Sequence, residues 1–377
     1  MTPKIGLVLS GGGARGAYQA GVIKALGEIA FQAGITRPFP IITGISAGAL
    51  NAGYLAAHAD DIRAACRDLS TLWSTIHTGM VFRSNISSLM RIGLRLMGQL
   101  IAGGMYRSAA PQALLDTRPL GYFLNRVVPP GKIAENLRRN FLDAISITAT
   151  DYGAARTVSF VQSAADFDLW TRARRTSVRE DIRTEHLMAS SALPVIFPPI
   201  RIGDRYYGDG SLRNTAPLSP AVHLGADRLI VISVRKETSI VPSELTAQPR
   251  PSIGRVLSEV LNAIVMDATT VDLERLARVN QTLELVGHDH KMKTGLRQVE
   301  AFTIHPSEDI GKIAREESKH LPRSVRYLVR GLGSRSDSSD LISYLLFEIP
   351  YTNRLVELGY RDGIKQQSEL TKFFIGS

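Results

Sequence analysis

Two stretches decide how this chain folds: "IGLVLSGGGARGAYQAG", residues 5–21, and "IITGISAGALNAGYLAA", residues 41–57. Each is a short apolar run, a glycine-bearing turn and then a stretch of small residues at helical spacing. Ile5–Leu9 suits a buried parallel strand and Ala17–Ala30 a helix. Pro40–Thr43 repeats the strand signal, and Ser46–His58 reads as a helix of small residues. Strand and helix in alternation predict an α/β fold with a mostly parallel sheet layered between helices. Further strands are expected at Ala144–Thr150, Thr157–Gln162, Leu229–Val234 and Ala301–Ile304, with a short extended piece at Tyr206–Tyr207. The proline-rich "ASSALPVIFPPI", residues 189–200, reads as an ordered connection. Residues 236–252 read as a loop, Ile253–Leu283 as helical, and "GLGSRSDSSD", residues 331–340, as a linker. Leu341–Phe374 closes the chain as helix, interrupted at Pro350.

What the first glycine loop does is a separate question. Gly11, Gly13 and Gly16 fit G-x-G-x-x-G, the loop that cradles a dinucleotide pyrophosphate. That reading demands an acidic residue about 20 positions on, to hold the ribose. The region reads "TRPFPIITGISAG", with no Asp or Glu after Glu28, so the demand is not met. A nucleotide-binding regulatory module therefore survives only as a rival class.

Standing there instead is G-x-S-x-G, Gly44 to Gly48 around Ser46. Between a strand and a helix this is the nucleophile elbow. The turn is so sharp that the serine is strained, and the positions two before and two after must lack side chains. The hydroxyl then projects at a helix N-terminus, where partial positive charge favours a developing anion. A serine attacking an ester creates an oxyanion, which needs preorganised N–H donors, each typically worth 10²–10³ in rate. Gly12 and Gly13, with Gly11 beside them, are the candidate donors. Arg15 is placed either to hold the loop or to meet an anionic head group. The bland alternative is that these glycines only form a tight strand–helix turn.

A hydrolase triad would need a downstream histidine, and of the eight only His186, His223, His288, His290, His305 and His320 come after the expected sheet core, none in a context that marks it out. His223, in "SPAVHLGADRL", reads as an ordinary helix residue. Asp209, in "RYYGDGSLRN", follows two strand-type tyrosines and is flanked by Gly208 and Gly210. Its reference pKa near 3.9 is far from that of serine, a gap that desolvation narrows. Taken alone, the Asp-Gly pair reads as a turn.

Together, "GGGARG", "GISAG" and "DGS" resemble the patatin-like phospholipases, lipid acyl hydrolases that use a Ser–Asp dyad. The pattern G-G-G-x-[KR]-G falls on Gly11–Gly16, with Arg15 as its basic member. G-x-S-x-G carries the nucleophile onto Ser46, and D-G-[GA] carries the catalytic aspartate onto Asp209. Ser211 departs from the glycine or alanine usual at the third position of that last motif. The resemblance covers residues 5–220 and implies a three-layer α/β/α catalytic domain, with a core strand continuing to about 235. It leaves 236–377 as a mainly helical C-terminal extension packed on that domain. It also implies a phospholipid or lysophospholipid substrate and no cofactor. A carboxylesterase acting on small or neutral esters is the rival within the enzyme class.

Composition bounds the rest. The 44% hydrophobic content is enough for a sizeable core. Cys66 is the only cysteine, so neither an intrachain disulfide nor a cysteine zinc site is available. Helical spacing around it makes it a small buried hydrophobe. No acidic cluster resembles a calcium loop, and no metal is expected. The apolar run after Lys4 is short and ends in glycines, unlike a secretory leader, and no stretch reaches the ~18 apolar residues of a span. The expectation is a soluble cytoplasmic protein, with peripheral contact at the inner membrane surface as a further reading. The net charge of +10 favours anionic surfaces, with basic runs at Arg138–Arg139 and through Arg172, Arg174, Arg175, Arg179 and Arg183. Aromatics are not interleaved with these runs, so no nucleic-acid partner is expected. The stretch "ISSLMRIGLRLMGQLI", residues 86–101, is amphipathic with Arg91 and Arg95 on its polar face. It reads equally as an interfacial or lid helix and as a helix docked on its own domain.

Overall fold

The computed structural model describes residues 3–83, 113–237, 267–285, 296–332 and 339–376, with short pieces between 255 and 263. The amphipathic stretch 86–101 and residues 238–252 of the expected loop lie outside the described residues. So do residues 333–338 of the expected linker.

The described strands are β1 (Ile5–Leu9), β2 (Ile41–Ile45), β3 (Ala144–Asp151), β4 (Arg156–Ser163), β5 (Thr171–Arg172), β6 (Arg175–Arg179), β7 (Ile200–Ile202), β8 (Arg205–Asp209), β9 (Arg228–Ile232) and β10 (Glu300–Ile304). They form one sheet in the order β10-β9-β1-β2-β3-β4-β6-β5, with β7 and β8 branching from β3. From β10 to β3 every neighbouring pair is parallel, and β4 turns back antiparallel on β3. The architecture is therefore α/β with a mostly parallel central sheet, as expected.

Along β1, Leu7 and Leu9 enter one apolar cluster while Val8 enters another on the opposite face. This is the two-sided burial that makes a parallel strand read as a continuous apolar run. One layer holds α1 (Gly16–Gln32), α2 (Ala47–Ala57), α3 (Ile62–Thr75) and the helix Ile349–Lys365. The helices Ser219–His223 and Asp267–Leu285 cover the other face, through Leu218, Ala221, Leu273 and Leu276.

The helix Ile349–Lys365 lies against α1 almost backbone to backbone. A Cβ on Gly21 would stand 2.0 Å from the carbonyl oxygen of Val356, and one on Gly359 2.1 Å from that of Tyr18. The Tyr360 hydroxyl donates to Glu28 at 2.8 Å across the same seam.

Several expected boundaries move for physical reasons. The closing helical segment is broken at residues 346–348, just before Pro350, which stands in the first turn of Ile349–Lys365, where its missing N–H is harmless. Residues 331–332 and 339–340 of the expected linker are helical. The start of the proline-rich connection, Ala189–Ser190, ends the helix Thr184–Ser190. The basic run at Arg175–Arg179 is the strand β6, near the edge of the sheet, where charged side chains discourage pairing with another chain.

Candidate active site

The site is assembled on one edge of β3. Strand β2 runs beside β3 until Ile45 stands opposite Thr148. There the chain turns sharply at Ser46 into α2. From the next residue on, β8 takes over, antiparallel, with Asp209 opposite Ala149. The end of β2 and the end of β8 thus meet head to head, which brings residues far apart in the chain into adjacency.

Ser46 has φ 54° and ψ −125°, a conformation costing about 1–3 kcal/mol for a residue with a side chain. A Cβ on Gly44 would stand 2.4 Å from the Gly48 carbonyl oxygen, and one on Gly48 2.2 Å from that of Leu9. These approaches are why neither position tolerates a larger residue. They also seat the N-terminus of α2 against the end of β1, where the glycine loop begins. The Ser46 N–H donates to Ser190 Oγ at 2.9 Å, and that hydroxyl donates to the Thr148 carbonyl at 2.6 Å. Ser190, fully buried, pins the elbow to β3.

Asp209 is held as firmly. Its N–H donates to the Ala192 carbonyl at 2.9 Å, and its own carbonyl accepts from Thr150 Oγ1 at 2.8 Å. Oδ1 accepts the Ser211 N–H at 2.8 Å. Oδ2 is buried and has no hydrogen-bond partner among the described residues. Burial pushes the Asp209 carboxyl up to about 6, against the opposing pull of the Ser46 hydroxyl and of Ser211. Ser46 is near enough to act on the carboxylate, yet their contact falls short of full hydrogen-bond geometry. Gly210 follows with its Cα against β3, where a Cβ would stand 2.1 Å from the Thr148 carbonyl oxygen.

The glycine loop turns through Gly13, at φ 57°, into the short helical turn Gly13–Arg15 that leads into α1 at Gly16. Among the described residues, no acceptor takes the N–H groups of Gly11, Gly12 or Gly13. A Cβ on Gly13 would stand 2.4 Å from the Tyr344 carbonyl oxygen, and one on Gly16 2.7 Å from the Trp73 ring. Arg15 is buried. Its Nε donates to Ser343 Oγ at 2.7 Å, an NH2 donates to Asp340 Oδ1 at 2.7 Å, and its guanidinium lies 4.8 Å from the Tyr344 ring centre. Of the two roles open to Arg15, this geometry fits holding the loop.

An apolar slot opens along α2, on the face one turn below Ser46. Leu50, Tyr54, Leu69, Trp73, Leu124 and Phe347 are among its walls. Its cavity volume is about 30 Å³, so the slot is nearly closed. Its one buried amide, Asn51, is committed to the Gly16 carbonyl, Gln19 and the Trp73 indole N–H. Apart from Asn51, the Trp73 indole N–H and the Tyr54 hydroxyl, the wall is apolar.

Ser46, Asp209 and the glycines carry sequence motifs, whereas Ser190, Thr148, Thr150 and the Arg15 partners Asp340 and Ser343 carry none. The run of small residues around Ser190 was the one available signal. His186 is buried with its pKa pushed down to about 4, chiefly by desolvation, and its Nδ1 accepts the Arg183 N–H at 3.0 Å. His223 stacks on Trp170. The side chains acting on Asp209 are Ser46 and Ser211, with no histidine among them. Cys66 is buried, its thiol pushed up to about 12 by desolvation. Among the described residues, no group of three or more His, Cys, Asp or Glu gathers as a metal site, and no helix is long and apolar enough to cross a membrane.

Three solved structures are similar over most of the chain. VipD from Legionella pneumophila aligns at 13% identity and TM-score 0.37, over 98% of this chain and 67% of that one. Human GIVD cytosolic phospholipase A2, in complex with methyl gamma-linolenyl fluorophosphonate, aligns at 12% identity and TM-score 0.43 over 100% of this chain, which spans 60% of the human one. The ExoU–SpcU complex of the Pseudomonas aeruginosa type III secretion system aligns at 16% identity and TM-score 0.28, over 90% and 68%. A search of curated protein sequences finds no match. Residues 7–222 match the family described as Patatin-like phospholipase, a span holding the glycine loop, the elbow and the Asp-Gly turn. With more than half its length in that match, the chain belongs to the patatin-like phospholipases, a family of lipid hydrolases.

Proposed function

We propose that the chain cleaves fatty-acyl esters of phospholipids or lysophospholipids through a Ser46–Asp209 dyad. Ser46 Oγ attacks the ester carbonyl while its proton passes to Asp209 Oδ2. The tetrahedral oxyanion takes hydrogen bonds from the N–H groups of Gly12 and Gly13, with Gly11 alongside. Asp209 gives that proton to the departing alcohol, then takes one from the water that attacks the acyl-enzyme and returns it to Ser46 Oγ as the fatty acid leaves. The carrying observation is the meeting of β2 and β8 on the edge of β3, which sets a strained serine beside a buried carboxylate oxygen that no other described group occupies. Raising Asp209 from 3.8 to about 6 brings it about 3 kcal/mol closer to serine as a proton acceptor.

The apolar slot on α2 takes the acyl chain in this reading, its walls parting to admit it, since side chains such as Leu50, Leu69, Leu124 and Phe347 make that wall mainly hydrocarbon. Residues 5–220, with the strand to about 235, form the catalytic domain, and 236–377 form an extension packed on it. The seam between α1 and Ile349–Lys365 supports that division. The test compares fatty-acid release from defined phospholipids by wild type, Ser46→Ala and Asp209→Asn, with labelling of Ser46 by a fluorophosphonate. Both variants should be folded and inactive, and only Ser46→Ala should lose the label entirely. Near-full turnover by Asp209→Asn would overturn the dyad.

A further inference from the structure

A second feature stands on the same edge of the sheet. Because β2 and β3 are parallel, the carboxyl end of β3 lies on the side where Ser46 emerges. Strand β3 runs on past Ile45 to Asp151, about 10 Å at 3.3–3.4 Å per residue. The chain then turns and starts β4 at Arg156. Strand β6 is parallel to β4 and begins at this end too, so the β5–β6 turn points the same way. One recess there is walled by Arg156, Arg172, Arg174, Arg175 and Arg213, the last a few residues beyond Asp209.

Carboxylates within the fold offset this concentration of charge only in part. Neighbouring arginines have carboxylate partners: Arg179 pairs with Asp166 at 2.7 Å and Arg205 with Asp151 at 2.6 Å. Arg156, Arg172, Arg174 and Arg213 are exposed, and none makes an ion pair among the described residues. Arg175 feels Asp272, but that carboxylate is half-buried and accepts the Leu218 N–H at 3.0 Å. Register sets Asp151 across from Arg156, but that carboxylate is ion-paired with Arg205, and it sets Arg172 directly across the ladder from Arg175. Like charges in directly opposed positions destabilise a hairpin. A fold that keeps such a pair beside three more guanidinium groups has a place for an external anion.

We infer that this arginine recess is the docking surface by which the protein rests on an anionic phospholipid bilayer, its guanidinium groups meeting head-group phosphates while Ser46 faces the same surface. The inference rests on the proposed lipid-ester function, which supplies the reason for a membrane rather than another polyanion. Arginine suits the role through its bidentate match to phosphate. The aromatics against which nucleic-acid bases would stack do not line the recess.

The experiment sediments the full chain with phosphatidylcholine vesicles, with and without phosphatidylserine at about a third of the lipid, at low and raised salt. It compares wild type with Arg156→Ser/Arg172→Ser/Arg174→Ser, and with an equal loss of charge elsewhere, Arg67→Gln/Arg118→Gln/Arg361→Gln. An arginine near an anionic surface is worth roughly five-fold in partitioning, so the recess variant should bind on the order of 100-fold more weakly. The control should fall by less than about ten-fold, and wild type should release as salt rises. Hydrolysis of a water-soluble monomeric ester is measured in parallel and should be unchanged in the recess variant. Absence of that hydrolysis in wild type would strike the Ser46 reading alone. The docking inference is overturned if wild type ignores anionic vesicles, if recess and control variants weaken equally, or if wild type prefers a single-stranded oligonucleotide and the recess variant loses that binding instead.

Discussion

Replacing Asp209 by asparagine should do two things that only a buried catalytic carboxylate does together: abolish turnover and change the pH dependence of stability. The folded-state pKa of about 6 lies above the ordinary 3.8, so the folded protein binds this proton more tightly than the unfolded chain. The sign follows from linkage: the protonated form carries its full contribution below 3.8, and that contribution is lost as pH rises through 6. With those two values, the raised pKa lowers stability, relative to the fully protonated state, by about 1 kcal/mol at about pH 4.5 and by about 3 kcal/mol at about pH 8. The Asp209→Asn variant bears neither cost, though its amide brings a fixed penalty of about 1–3 kcal/mol if its donors stay unpaired. That penalty is the same at both pH values and cancels. Urea unfolding of both proteins at about pH 4.5 and about pH 8 should therefore show the variant gaining about 2 kcal/mol on wild type between the two. Turnover by wild type should rise through pH 6, with about a tenth of the plateau remaining at about pH 5, because only the ionised carboxylate accepts a proton. A stability difference that stays flat with pH would refute the raised pKa, and a pH–rate profile without a limb near 6 would refute the base.

Three further outcomes follow from the geometry. Ser190→Ala removes the acceptor of the Ser46 N–H, so it should cost about 1–3 kcal/mol in denaturant unfolding and lower kcat with KM nearly unchanged, as read by steady-state kinetics on a soluble ester. Leu124→Trp should fill part of the slot. If it excludes about four methylenes, at about 0.8 kcal/mol each, the preference for hexadecanoyl over butyryl esters falls about a hundred-fold in kcat/KM, while an unchanged ratio would place the chain elsewhere. Gly359→Leu drives a side chain into the Tyr18 carbonyl, and a thermal melt should register a loss of at least about 1–3 kcal/mol.

The parts of this site that local rules dictate were legible in the sequence. A strand, a sharp turn and a helix packed this closely demand glycine at 44 and 48, and a positive-φ serine between them is recognisable from spacing alone. The Asp-Gly pair was not decisive by itself, because Asp209 acquires its meaning from β8 replacing β2 along β3, a fact of register that no local pattern carries. Ser190 was hidden for the same reason. Its hydroxyl bridges two elements distant in sequence, and a buried serine looks like any small residue in a tight connection. Boundaries moved where one residue has two local meanings, as Pro350 does at a helix start and the arginines of β6 do on a strand near the sheet edge.

The deepest element beyond sequence reading is the tie between the glycine loop and the far end of the chain. Arg15 belongs to the loop's own motif, yet its partners Asp340 and Ser343 and the covering ring of Tyr344 lie far along the chain, outside the span that matches the family. The carbonyl of Tyr344 occupies the space a Cβ on Gly13 would need. The glycine at 13 thus answers two demands at once: a positive φ, and the close approach of a second backbone. A motif reading sees only the first. The second means that the glycine loop is held from behind by the C-terminal helices, so the shape of the loop depends on packing that forms only when both ends of the chain have folded together.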